Sequence, residues 1–282
     1  MKNSLFALLV MLATSLSAWC QPDKYEVYAL RFASTAQPSP VSAWAYKGPD
    51  HDSVAIDFMV WLIKEKNGKN ILLDAGFLGG IEDAKEFGIV NYIRPDSMLL
   101  KTGVKPGDIT DIIISHPHWD HIDGIDLFPN AQIWMQKEDF NYFVATAWQK
   151  NGNNGGFNKR DVLKIIAANL AGRLTLIEGD NKEIIPGIRV YTGSKHTFNS
   201  QYVMVNTGTK KMVLASDNIW IYYSLEHLTP PSVGGTLDPA GYVKAMQRMK
   251  TLASDNKYII PGHDAKVFTL FPLVSPGIVQ IK

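Results

Sequence analysis

The sequence predicts an α/β protein in which two β-sheets pack together with helices outside. Three observations carry this. Strand-like runs fall into two groups, one before residue 116 and one after residue 188. Helix-like segments separate the groups and return near the C-terminus. Polar clusters rich in His and Asp directly follow several of the strands, where functional loops concentrate. An order of strands, helices, strands, helix and strand suits layered sheets, and no linker-like tract divides it.

The runs 54–66 (VAIDFMVWLIKEK) and 69–74 (KNILLD) flank Asn67-Gly68, a strong hairpin signal. Ala75-Gly76 ends the second run, and a short helix is expected at 83–87. The β-branched run 109–115 (ITDIIIS) reads as a buried strand. Residues 124–128 could open a helix, 131–135 a strand, and 138–150 looks helical and aromatic. A flexible NGNNGG tract at 151–156 precedes an amphipathic helix at 161–171. Strands are expected at 189–192, 201–206 and 211–216, then a helix at 239–252 and a strand at 257–260. The charged run 81–87 reads as a solvated face, His51 and His227 as surface residues, and Met246 and Met249 as the buried side of their helix.

Composition excludes several classes. The 282 residues carry 28 Lys+Arg against 27 Asp+Glu. This balance lacks the basic surplus that a nucleic-acid partner requires. With 46% hydrophobic and 20% charged residues the chain is globular rather than disordered. Cys20 is the single cysteine, so an internal disulfide and a multi-cysteine zinc site are both excluded. Residues 1–20 place Lys2 ahead of an apolar run at 5–12 and small residues at 15, 17 and 18, the pattern of a cleaved signal peptide. The cut would fall after Cys20 or Ser17. No later stretch is apolar enough to span a membrane, so residues 21–282 are expected to form one domain outside the cytoplasm, secreted or periplasmic. A neutral surface with many aromatics permits a homodimer.

The chemistry is signalled by His116-Pro117-His118-Trp119-Asp120-His121. Three of seven histidines stand within six residues, with an acid between them, immediately after a strand. Neutral imidazoles and carboxylates suit divalent metals such as zinc. Six residues cannot ligate two ions alone. His196, Asp217 and His263, each just after a strand-like run, can complete the set.

These residues resemble the metallo-β-lactamase superfamily: an HxHxDH cluster, a later Gly-x-His, a strand-end Asp and a late Gly-His, with Leu72-Leu73-Asp74-Ala75-Gly76 matching the early Asp-Gly turn. The resemblance implies a four-layer αββα sandwich. It implies that His116, His118 and His196 hold one metal, that Asp120, His121 and His263 hold a second, and that Asp217 bridges them. Asp74 would orient the first loop. The runs 57–63 and 259–268 are similar to N-acyl homoserine lactonases, which also carry an aromatic residue inside the cluster. Trp119 takes that position and would line the acyl pocket. The family often places Tyr three residues after the bridging Asp, where this chain has Trp220, expected to contact substrate with its indole N–H as only a weak donor; Tyr222 is expected to contact substrate too, and Tyr223 to be the catalytic phenol. The 19 residues after His263 leave no room for the helical substrate domain of glyoxalase II.

The implied mechanism is attack by a metal-bridging hydroxide on a lactone or ester carbonyl, with Asp120 carrying a proton to the leaving alkoxide. The ions would be zinc, or iron, manganese or cobalt. The alternatives are a metal-dependent phosphotriesterase or arylesterase, then a β-lactamase, then a non-catalytic metal carrier.

Overall fold

The longest strand among the described residues, Tyr25–Thr35, is one that sequence reading passes over. Buried and half-buried residues alternate only over Tyr25–Ala29, and a register shift between Arg31 and Ala33 breaks the period that would mark the strand. We describe a computed structural model of the chain, which describes residues 24–66 and 68–282. The leader expected at 1–20 and Asn67 of the expected turn lie outside the described residues.

The larger sheet runs in the spatial order Leu273–Ser275, Ile278–Ile281, Tyr25–Thr35, Asp57–Glu65, Asn70–Leu73, Asp111–Ile113, Gln132–Gln136 and Leu174–Ile177, with Ile89–Val90 pairing to the end of Tyr25–Thr35. From Asn70–Leu73 onward neighbouring strands are parallel. The smaller sheet runs Lys182–Ile185, Ile188–Thr192, Gln201–Asn206, Lys211–Ser216 and Ile259–Pro261, its last pair parallel. The strands at 174–177, 182–185, 273–275 and 278–281 also escape sequence reading, being short and without a clear period.

Side chains alternate across the larger sheet. Ala29, Trp61, Ile63, Ile71 and Leu73 pack toward Val190, Val203, Leu214 and Ile260 of the smaller sheet. Leu30, Val60, Leu62, Leu72 and Ile112 face the opposite way, onto Ile122, Phe143, Ile165 and Ala168 of the helical layer. Each such buried aliphatic chain contributes about 1.5–3 kcal/mol. Helix Pro239–Leu252, with the bounds the sequence predicts, starts at Asp238, whose carboxylate accepts from Gly241 N at 2.9 Å, with Pro239 in the first turn. Tyr242, Ala245, Met246 and Met249 recur at helical spacing and join the inner core.

Expected helix 161–171 is Lys159–Leu170, and 138–150 resolves into helix Lys137–Val144 and a 3-10 turn at Thr146–Trp148. The segment at 124–128 is also 3-10, Asp123–Leu127. The expected strand 257–260 begins with a 3-10 turn, Asn256–Tyr258, and pairs only over Ile259–Pro261. No helix among the described residues is long and apolar enough to cross a membrane.

Strand direction positions the site. Asn70–Leu73 and Asp111–Ile113 are parallel, so Asp74 and the 116–121 cluster leave the same edge. In the smaller sheet, Ile188–Thr192, Lys211–Ser216 and Ile259–Pro261 share one direction and deliver His196, Asp217 and His263 from their C-terminal ends. Ligand sites in open α/β sheets form at such carboxyl ends.

Candidate metal centre

His116, His118, His196 and Asp217 form one donor group; Asp120, His121 and His263 form a second. Within each group the donor atoms lie within 4.8 Å of one another. Asp217 reaches both. Its Oδ2 lies 3.2 Å from His196 Nε2 and 3.8 Å from His116 Nε2, while Oδ1 lies 3.0 Å from His263 Nε2 and 3.2 Å from His121 Nε2. Asp120 Oδ2 lies 3.2 Å from His121 Nε2 and 3.5 Å from His263 Nε2. The structure thus brings together all seven residues singled out by spacing and resemblance.

Hydrogen bonds aim these rings. His121 Nδ1 donates to Asp74 Oδ2 at 2.8 Å, His196 Nδ1 to the Gly235 carbonyl at 2.7 Å, and His263 Nδ1 to the Asp57 carbonyl at 3.0 Å. Each bond engages Nδ1 and turns Nε2 toward the centre, where a neutral ring would offer its lone pair to a cation. His118 presents Nδ1 instead, 3.1 Å from His116 Nε2 and 3.0 Å from His196 Nε2. Its Nε2 side lies against Gly156, where an added Cβ would come within 2.9 Å of that nitrogen.

Asp74 is fully buried and stands where resemblance puts it. Oδ1 accepts from Ser115 N at 2.8 Å, and Oδ2 accepts from the Ser115 and Ser216 hydroxyls at 2.9 and 2.8 Å. Three non-glycine residues with left-handed φ, Asp74 (62°), Lys195 (50°) and Ser216 (46°), occupy or adjoin these positions. Such costly backbone is retained where surrounding contacts dictate it. Ser115, Ser216 and the two carbonyl acceptors were missed by sequence reading. The serines flanking His116 and Asp217 were the available signal; a carbonyl carries none.

The donors fit divalent ions. His121 Nε2 and Asp217 Oδ1 are buried and make no hydrogen bond, although they face each other. Buried polar atoms are rarely left so, and a cation between such donors satisfies both. Burial lowers His118 to about 3 and lowers His116 as well, keeping both rings neutral. For His121 burial also opposes charge, but Asp120, Asp217 and Asp74 outweigh it and raise the ring well above its ordinary value. Asp217 sits well below the carboxylate range: burial opposes ionisation, and His263 and His121 overcome it. The site concentrates charge that metal ions would balance.

A cavity of about 500 Å³ opens above the donors. Trp44, Phe58, Phe87 and Trp119 form one side of the wall, and Tyr142, Phe157, Phe198 and Leu237 also line it. Trp119 both packs and lines: it is buried against Phe58 and Phe77 and borders the cavity. The segments 79–107 and 140–160 supply several of these residues, among them Phe87, Tyr142 and Phe157. Trp220 lines it too, but its indole N–H donates to Asp217 Oδ2 at 2.8 Å.

Two expectations need correction. Tyr222 and Tyr223 do not line the cavity; helix Tyr222–His227 begins directly after Ile221 and turns them into a separate groove with Val54 and Asp264. Tyr223 stacks on His227, 4.1 Å between ring centroids. The run 81–87 is solvated as expected at Glu82, Lys85 and Glu86, all exposed, but half-buried Asp83 and the exposed Glu86 also border the cavity.

Layered sheets, strand-end loops and paired nitrogen–oxygen donor groups define the class, an α/β scaffold built around a metal centre. The chain belongs to the metallo-beta-lactamase superfamily, whose family model matches residues 59–263. It is 25% identical over 169 residues to an N-acyl homoserine lactonase of Bacillus cereus, a match covering 60% of this chain and 61% of that protein. The chain thus spans about three fifths of the length of that curated relative. A solved N-acyl homoserine lactone hydrolase, with N-hexanoyl-L-homoserine bound at its catalytic metal center, superposes with a TM-score of 0.70 at 19% identity, covering 92% of this chain and all of that one. AidC, a dizinc quorum-quenching lactonase, gives 0.64 at 19% identity over 93% and 95% of the two chains. The fold is the metallo-β-lactamase fold.

Proposed function

We propose that this protein is a binuclear metal-dependent hydrolase of lactones and esters, with N-acyl homoserine lactones as the leading substrate class. The observation that carries the reading is Asp217, whose two oxygens face two different donor groups beneath an aromatic cavity. His116, His118, His196 and Asp217 Oδ2 would hold one divalent ion; Asp120, His121, His263 and Asp217 Oδ1 would hold the other. Zinc, the metal named for AidC, suits these donors. Ions bound there supply Lewis acidity and acidify a coordinated water.

The chain's residues do the rest. The aromatic wall takes the acyl arm and keeps bulk solvent away, leaving the carbonyl open to the attacking water on the donor side. Asp120, at the cavity edge and held ionised, would take the proton that the attacking water gives up and pass it to the leaving alkoxide. Trp220 cannot polarise the carbonyl through its N–H, which Asp217 occupies; it holds that carboxylate in place. Residues 1–20 are proposed to be removed on export, leaving a secreted or periplasmic domain.

The test compares metal-loaded protein with Asp217→Ala. A long-chain acyl homoserine lactone, an aryl ester, a phosphotriester and a β-lactam are assayed, and bound metal is counted by elemental analysis. Two ions per chain and lactone opening are expected. Asp217→Ala should lose about a thousandfold or more of kcat/KM, roughly 4 kcal/mol. One tightly held ion with no hydrolysis would assign a metal carrier, and phosphotriester cleavage without lactone opening would move the reaction to phosphorus.

A further inference from the structure

The cavity wall carries two carboxylates without a counter-ion. Asp83 and Glu86 lie three residues apart on helix Glu82–Glu86, the spacing that puts side chains on one side. Both line the cavity. The helix's own cation is already engaged, Lys85 Nζ lying 2.6 Å from Glu82 Oε2. Among the described residues, neither Asp83 nor Glu86 makes a side-chain hydrogen bond or ion pair, and no Lys or Arg lines the cavity. Lys195 approaches Phe198 from outside the lining, its Nζ 5.8 Å from the ring centroid. Burial, then the charges of Glu86, Asp120 and Glu82, raise Asp83 above its ordinary value.

Aromatic side chains line the same cavity as these carboxylates. Phe87 lies 6.4 Å from Trp44 and 5.8 Å from Trp119, centroid to centroid. Carboxylates beside exposed π-faces attract alkylammonium groups and repel anions, and low-dielectric walls strengthen both effects.

We propose that Asp83 and Glu86 make the cavity selective for esters or lactones whose acyl arm ends in an ammonium group, and set it against arms ending in an anion. The proposal takes the carbonyl chemistry from the hydrolase reading, but the charge preference stands on the wall alone.

Three p-nitrophenyl esters of equal length, ending in trimethylammonium, tert-butyl or sulfonate, test it. For metal-loaded protein kcat/KM should fall in that order, by about tenfold at each step. In Asp83→Asn/Glu86→Gln the three values should converge to within about threefold. Raising salt to about 0.5 M should compress the ranking of the unmodified protein, a measurement that needs no variant. A second readout needs no turnover: hexyltrimethylammonium, followed by the fluorescence of Trp44, Trp119 and Trp220, should bind at least about tenfold more tightly to the unmodified chain than to the double variant. Esters left uncleaved with this binding difference intact would sink the hydrolase reading and keep the charge filter. Cleavage without ranking, or equal ammonium binding by both proteins, would sink the filter and keep the hydrolase.

Discussion

The floor and the wall of the cavity are built by different means. The floor consists of strand-end residues, buried and held by bonds to backbone or to fully buried side chains: His121 on Asp74, His196 on Gly235 and His263 on Asp57. The wall comes from a five-residue helix and from loops at 153–157 and 234–237, and it includes the exposed Phe87 and Phe198. The two sheets deliver the donors, and the helix Glu82–Glu86 holds none of them, whereas the loops at 153–157 and 234–237 also brace the floor, Gly156 against the His118 ring and the Gly235 carbonyl on His196.

Substituting glycine tests the difference most severely. On the floor, Gly124 N donates to the Gly76 carbonyl at 2.8 Å, and Ala75 N donates to the His121 carbonyl at 2.7 Å, so the Asp74 turn and the ligand loop are locked together. A Cβ on Gly124 would stand 2.1 Å from the Ala75 carbonyl oxygen, with backbone atoms as its nearest contacts. Gly124→Ala should cost about 3 kcal/mol or more, read as a fall in Tm of roughly 6–12 °C. On the wall, a Cβ on Gly155 meets only Asn153 Oδ1, at 3.4 Å. Gly155→Ala should stay within about 0.5 kcal/mol. Equal losses at the two positions would erase the distinction.

Asp74→Asn probes the floor's electrostatics with its backbone preserved, since Asn tolerates the left-handed φ of 62°. The amide oxygen can still accept from Ser115 N, but the amide nitrogen would face the His121 Nδ1 proton. His121 must then change tautomer and direct a proton toward the donor group. Metal affinity should fall about 10–100-fold, measured by competition with a chromophoric chelator. An unchanged affinity would show that Asp74 is merely a turn residue.

How much was legible in the sequence follows the same division. The 116–121 cluster is contiguous, and His196, Asp217 and His263 each follow a recognisable strand, so the floor could be read before any coordinates. The carbonyls of Asp57 and Gly235 could not, because every residue offers one. Tyr222 and Tyr223 were misplaced because a helix start at Ile221 rotates residues that a linear reading keeps beside Asp217. Asp83 and Glu86 were read as solvated because charge alone does not reveal which way a short helix faces. Strand Tyr25–Thr35 was hidden by the register shift between Arg31 and Ala33 that breaks its period.

The smallest predicted effect lies where wall and floor join. Asp139, on helix Lys137–Val144, accepts from Thr197 Oγ1 at 2.6 Å and from Asn199 N at 2.9 Å, and so ties the loop carrying His196 to the helix carrying Tyr142 of the wall. Burial pushes its carboxyl up to about 6, although both hydrogen bonds pull it down. The unfolded value is about 3.9. Between those values the folded chain holds a proton that the unfolded chain has released, so this group's contribution to stability is greatest below about pH 4 and declines as pH rises through 6. Asn cannot titrate, and it can accept from Asn199 N while donating to the Thr197 hydroxyl. The stability of Asp139→Asn relative to the unmodified protein should therefore be most favourable at pH 7 and less so by roughly 1 kcal/mol at pH 5, measured by urea unfolding at both values. A gap that does not vary with pH would mean that Asp139 titrates as a solvated carboxylate, and the join would then be looser than the floor it supports.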